Sequence, residues 1–204
     1  MTATSPDLDD LGVRDYRTVL ALQRELAEAR ASDLIADRVL LVEHPPVYTA
    51  GRATRPGDVL AEGVDVVAIE RGGRITYHGP GQLVLYPIVR LDGRGRDLHQ
   101  WLRRLEQLGI DILARLGVGA ERSALGTGVF VGGRKIGSIG IAVRRWVSLH
   151  GIALNIDLDL TPFTRIRPCG FDAQIMTTAS REAGRPVTMD QARAAARTVL
   201  AAGL

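Results

Sequence analysis

Gly128-Val-Phe-Val-Gly-Gly-Arg-Lys-Ile-Gly-Ser-Ile-Gly-Ile-Ala-Val-Arg-Arg-Trp-Val-Ser-Leu-His-Gly-Ile-Ala-Leu-Asn-Ile156 is the stretch that decides the architecture. Aliphatic and β-branched residues fill it, and Gly132-Gly133 offers the two positive φ angles that a tight hairpin turn requires. It reads as strands over 128–131, 135–143 and 147–156. Their connections are too short for crossovers, so the sheet is expected to be mostly antiparallel.

Upstream, 38–43 reads as a buried strand halted by His44-Pro45-Pro46, and 64–69 and 83–89 as two more. Pro87 lies inside the last, which points to an edge or a bulge. Asp15 is placed to cap a helix over 16–31, with Tyr16, Val19, Leu20, Gln23, Leu26 and Ala27 on one face. A second helix, 97–116, carries Leu98, Trp101, Leu102, Leu105, Leu108, Ile112, Leu113 and Leu116 on one stripe. Downstream come a loop with Pro162 and Pro168-Cys-Gly170 and a short helix ending near Gly184. Thr188-Met-Asp-Gln191 is a capping box that opens a last helix through 202. The first ten or so residues are expected to be frayed. With no repeat or linker, residues 1–204 are read as one α/β domain of α+β type, a mixed sheet flanked by helices.

Of 204 residues, 46% are hydrophobic and 24% charged, values that exclude a disordered or fibrous chain. A net charge of +3 with 4% aromatics argues against a nucleic-acid platform. One cysteine excludes an internal disulfide, a multi-cysteine zinc site and an iron–sulfur cluster. No apolar run reaches a membrane span of roughly 18 residues. Residues 1–10 are polar, without a signal-peptide core. A soluble cytoplasmic protein without metal or cofactor is expected.

Lysine occurs once, at Lys135, against 25 arginines. Where either cation serves, this chain uses arginine, so Lys135 marks a place where arginine does not. Lysine differs in being compact and able to release its proton when buried. The lone Cys169 sits between Pro168 and Gly170, a setting better suited to exposure than an apolar strand. An ammonium about 4 Å from a thiolate contributes roughly 4 kcal/mol at an effective dielectric of 20, enough to activate the thiol. A histidine, His78 or His150, is the alternative activator.

Glycines also cluster in Arg71-Gly-Gly-Arg-Ile-Thr-Tyr-His78 and Gly79-Pro-Gly81. They allow backbone amides to approach a ligand, although the segment fits no phosphate-binding fingerprint. Gly93-Arg-Gly-Arg96 is similar to the adenylate-binding loop of biotin ligases. It lacks the glycine and arginine that should follow, and reads as a solvated turn.

Taken in order, four segments resemble the lipoyl(octanoyl) transferase family. They are Glu43-His-Pro-Pro-Val-Tyr-Thr-Ala-Gly-Arg52; Arg71 to Val84; Gly133-Arg-Lys-Ile-Gly-Ser-Ile-Gly140 with His150-Gly-Ile-Ala-Leu-Asn155; and Pro168-Cys-Gly170. The resemblance implies a catalytic fold like that of biotin and lipoate protein ligases. It implies transfer of octanoyl from octanoyl-acyl carrier protein, through a thioester on Cys169, to a lysine of a lipoyl domain. Such domains occur in 2-oxoacid dehydrogenases and the glycine cleavage H protein. It makes Cys169 the nucleophile and Lys135 the group that lowers its pKa. Arg71, Gly72, Gly73, Arg74, Ile75, Thr76, Tyr77 and His78, with Ser138, Ile139, Gly140, Gly151, Ile152 and Ala153, would line the acyl site. Met176-Thr177-Thr178 and Gly137 depart from the family pattern, which bears on chain-length preference. An ATP-dependent lipoate or biotin ligase and a cysteine thioesterase are the competing readings.

Overall fold

The computed structural model describes residues 6–92 and 96–204, with Cys169 described in its main chain only. Residues 93–95, the core of the adenylate-loop lookalike, lie outside the described residues.

Among the described residues ten strands form two sheets. The larger contains β1 (Asp7–Val13), β2 (Arg38–Glu43), β6 (Gln82–Ile88), β10 (Val147–Asn155), β9 (Arg134–Arg144), β8 (Gly126–Val131) and β7 (Glu121–Ser123), in that spatial order. The smaller is β4 (Val66–Ala68), β3 (Val47–Ala50) and β5 (Thr76–His78). Only β1–β2 and β3–β4 run parallel. The mixed, mostly antiparallel sheet expected from the 128–156 stretch is present.

Side-chain alternation explains why the central strands are apolar without a break. Val39, Leu41, Leu83, Leu85, Ile152 and Leu154 pack toward α2 (Leu98–Arg115), α3 (Ala179–Ala183) and α4 (Met189–Ala201). Leu40, Val42, Val84, Tyr86 and Ala153 face the other way, toward α1 (Tyr16–Ala31). Both faces are covered, so every position of β6 and β10 is buried. Caps bound the helices, at Asp15 and Thr188 as expected and at Asp97 in addition. Asp15 accepts the Thr18 N–H (2.9 Å), Asp97 accepts those of His99 and Gln100, and Thr188 with Gln191 closes a capping box. Leu98 departs from its stripe: at the first turn of α2 it is solvent-exposed.

The chain start corrects the sequence expectation. Residues 7–10 belong to β1, where Leu8 and Leu11 pack on the core from the two faces and charges fasten the rest. Arg38 pairs with Asp9, and Asp10 receives both Arg193 and Arg197 from α4. Hydropathy does not register a strand fastened in this way.

Pro87 brings a second correction. β6 is central, not an edge, and no extra residue bulges there. The ladder to β10 opens opposite Pro87, between the Leu85–Ile152 pair and the Arg90–Val147 bridge, with one register on both sides. Ser148 Oγ repairs the gap, donating to the Pro87 carbonyl (2.7 Å) and accepting the Val89 N–H (3.1 Å). His150 takes a φ of 58° at this opening. A side chain on Gly151 would strike the Leu85 carbonyl, 2.2 Å from an ideal Cβ. The opening lets His150 turn toward the α1 side of the sheet. Among the described residues no helix is long and apolar enough to cross a membrane.

Candidate active site

The β8–β9 hairpin turns on Gly132 and Gly133, with φ of 52° and 80°. Two residues past the turn the register slips: Phe130 pairs Lys135, while Val129 pairs Gly137. One extra residue on β9 makes a β-bulge, a device that redirects side chains. Its effect is that Lys135 and Ile136, which would alternate in a regular strand, are both buried. Ile136 enters the core against α2. Lys135 Nζ donates to the Thr127 carbonyl at 2.9 Å and lies 5.0 Å from the Phe130 ring centroid and 5.4 Å from that of Phe171. A Cβ on Gly128 would come within 2.7 Å of that nitrogen.

The tight turn Pro168–Gly170 approaches from the other side. The Arg167 N–H donates to the Asp58 carbonyl, and the Gly170 and Phe171 amides close the turn. Arg74 forks onto the buried Asp58 carboxylate, and its guanidinium fills the space a Cβ on Gly170 would need. That guanidinium holds the Asp58 carboxyl below the usual carboxylate range. Phe171 carries this turn to Lys135. The sole lysine and the turn containing the sole cysteine are thus brought together; the Cys169 side chain lies outside the described part.

A narrow cavity opens on the α1 side of the sheet. Arg71, Thr76, His78, Ser138, Ile139, Gly140, Gly151, Ile152 and Ala153 line it, together with Tyr16, Val84, Tyr86 and His150. The remaining expected residues do other work. Ile75 and Tyr77 point to the opposite face of β5, into a cluster with Phe163 and Met176. Gly72 ties its loop to β9 by donating to the Ile141 carbonyl, Gly73 turns the chain with a φ of 81°, and Arg74 pins the cysteine turn. Arg71 presents its stem to the cavity while its guanidinium bonds the carbonyls of Thr49, Gly72 and Arg74. Tyr16, Val84 and Tyr86 were missed as lining residues because each reads as ordinary core on its own element.

Main-chain carbonyls dictate the protonation pattern inside. Thr177 O can only accept, so the Asn155 amide nitrogen faces it (3.0 Å). Asn155 Oδ1 then takes Gln82 Nε2 (2.9 Å), leaving Gln82 Oε1 to accept from His78 Nδ1 (2.7 Å). His78 Nε2 is therefore the acceptor, and the Thr49 hydroxyl donates to it at 3.5 Å. Likewise His44 Nδ1 donates to the Arg14 carbonyl, and the Tyr86 hydroxyl donates to His44 Nε2 at 2.9 Å. Burial holds His78 down to about 3 and His150 to about 4, lowers His44, and raises Tyr16 and Tyr86. At neutral pH these rings are uncharged. With Val84, Gly140, Gly151 and Ala153 also on its walls, the cavity suits an apolar chain.

The family model of the lipoyl protein ligase A/B catalytic domain matches residues 15–201. An octanoyltransferase of Geobacter sulfurreducens is 52% identical over 186 residues, which is 91% of this chain and 79% of the relative. The crystal structure of lipoate-protein ligase A bound with ATP superimposes with a TM-score of 0.76 at 16% identity, over 98% of this chain and 85% of that one. Biotin protein ligase from Aquifex aeolicus gives 0.54 at 12% identity, over 98% and 68%. These two likenesses show a shared fold. Sequence, fold and cavity converge on one assignment: the chain belongs to the lipoyl protein ligase A/B catalytic domain family and, within it, groups with the octanoyltransferases.

Proposed function

We propose that this protein is an octanoyltransferase that works through Cys169 and Lys135 in the cytoplasm. The observation that carries the reading is the bulge on β9. It buries the only lysine of the chain beside the Pro168–Gly170 turn, three residues along β9 from Ser138, which lines the cavity.

In the first half-reaction the Cys169 thiolate attacks the thioester carbonyl of octanoyl-acyl carrier protein. The tetrahedral oxyanion collapses, the carrier's thiolate leaves and takes a proton, and octanoyl remains as a thioester on Cys169. In the second, the amine of a lipoyl-domain lysine attacks that thioester. An amide forms, the C–S bond breaks, and the amine's proton returns to the thiolate. Lys135 is suited to both steps, as a cation that favours the thiolate and as a proton carrier close to it. Carbon–sulfur cleavage drives the transfer, so no nucleotide enters. Lipoyl domains of 2-oxoacid dehydrogenases and the glycine cleavage H protein are the acceptors this reading names. The same cavity suits the apolar chain of either half-reaction.

Intact-mass spectrometry of the protein mixed with octanoyl-acyl carrier protein, without ATP, tests it. One octanoyl group should appear, be lost in Cys169→Ala, and move to a lipoyl domain when that is added. Strict dependence on ATP would make the protein a ligase, and release of free octanoate in the presence of acceptor would make it a thioesterase.

A further inference from the structure

The cavity has a polar end that octanoyl transfer does not use. His150 pairs with Ile141, six positions along β9 from Lys135, or about 20 Å of strand. It lines the cavity, which Lys135 does not. It is 2% exposed, yet neither ring nitrogen has a partner among the described residues. Gln23 of α1, fully buried, accepts the His150 N–H on Oε1 (2.8 Å) and leaves Nε2 equally unpartnered. Buried polar atoms of this kind are normally satisfied. Nearby groups do not satisfy them: the Tyr86 hydroxyl gives its proton to His44, and Glu70 is engaged by Arg24.

We infer that His150 and Gln23 form a subsite for a hydrogen-bonding group at the end of the acyl chain. The protein then takes medium-chain acyl groups bearing a terminal hydroxyl as well as plain octanoyl. This rests on the acyltransferase reading above. A neutral imidazole offers one donor and one acceptor, and a hydroxyl both donates and accepts, so the two are complementary. Val84, Gly140, Gly151 and Ala153, which line the same cavity, bring no polar side chain to it.

The test compares kcat/KM for acyl carrier protein loaded with octanoyl, with the terminally hydroxylated chain, and with a chain hydroxylated at its middle. An apolar floor would reject an added hydroxyl by up to about a hundredfold. The wild-type protein is expected to use the terminal hydroxyl within about threefold of octanoyl and to reject the mid-chain hydroxyl by about tenfold or more. His150→Leu should lower the ratio of terminally hydroxylated to plain chain by at least about tenfold relative to its own octanoyl rate. His150→Asn, which tolerates the left-handed backbone and keeps a donor and an acceptor, should fall between. Rejection of the terminal hydroxyl by the wild type, equal tolerance of both hydroxyl positions, or an unchanged ratio in folded His150→Leu overturns the subsite. The two wild-type comparisons decide the matter even if His150→Leu does not fold. Octanoyl transfer with the hydroxylated chains rejected overturns the subsite alone. Absence of octanoyl transfer overturns the function as well.

Discussion

Lys135 Nζ lies 5.4 Å from the centre of the Phe171 ring, and Phe171 is two residues beyond Cys169. Through that ring β9 touches the turn that bears the cysteine. The chain's single lysine is wedged between two aromatic faces and the Thr127 carbonyl, with the Gly128 backbone filling what space is left.

A planar, larger guanidinium does not fit this slot and cannot release a proton near neutral pH. Lys135→Arg is therefore expected to retain part of the thiolate character of Cys169. It should slow transfer from acyl-enzyme to lipoyl domain by roughly two to four orders of magnitude, the loss expected when a general base is removed. Alkylation of Cys169 against pH and single-turnover transfer measure the two separately. An undiminished transfer rate would reduce Lys135 to a fixed charge.

Arg74 is expected to act at a distance from the substrate. Arg74→Ala leaves the buried Asp58 carboxylate without its fork and frees the Pro168–Gly170 turn. Stability should fall by about 1–3 kcal/mol. Turnover should fall while KM for the carrier changes little, and thermal melts with steady-state kinetics would expose any other split.

Acid should unfold the protein through its buried histidines. Unfolded histidine titrates near 6.5, whereas His78 and His150 are held to about 3 and about 4. Below pH 6.5 the unfolded chain binds protons that the native state refuses. The stability these groups contribute is thus present above 6.5 and lost as the pH falls from there toward 4. Two such groups give a slope of about 2.7 kcal/mol per pH unit at the steepest. Urea midpoints at pH 7.5, 6 and 5 should descend accordingly; a flat profile would mean that neither ring is kept neutral by folding.

Gly137, where the family pattern has alanine, is closed to a larger residue here. An ideal Cβ would sit 2.9 Å from Leu154 Cδ2 and 3.0 Å from Val129 Cβ, beneath α2. Gly137→Ala is expected to cost about 1–3 kcal/mol by overpacking, read as a lowered urea midpoint at an unchanged m-value.

The α1, α2 and α4 helices, the strands over 128–156 and the hairpin at Gly132-Gly133 were legible from local pattern. Apolar spacing, a cap residue and paired glycines express local backbone preference and need no partner. The oddity of one lysine among 25 arginines likewise pointed to Lys135, and the ordered segments pointed to the family. Contacts between distant residues were not legible. β1 is fastened by Arg38, Arg193 and Arg197 on its aspartates and by Leu8 and Leu11 on the core, Pro87 sits mid-sheet because Ser148 repairs the ladder, and β3 resumes after a proline pair to found a second sheet. The bulge that turns Lys135 toward Phe171 is a slip in pairing, a property of two strands together. The neutrality of His44, His78 and His150 follows from burial, which only the assembled layers create.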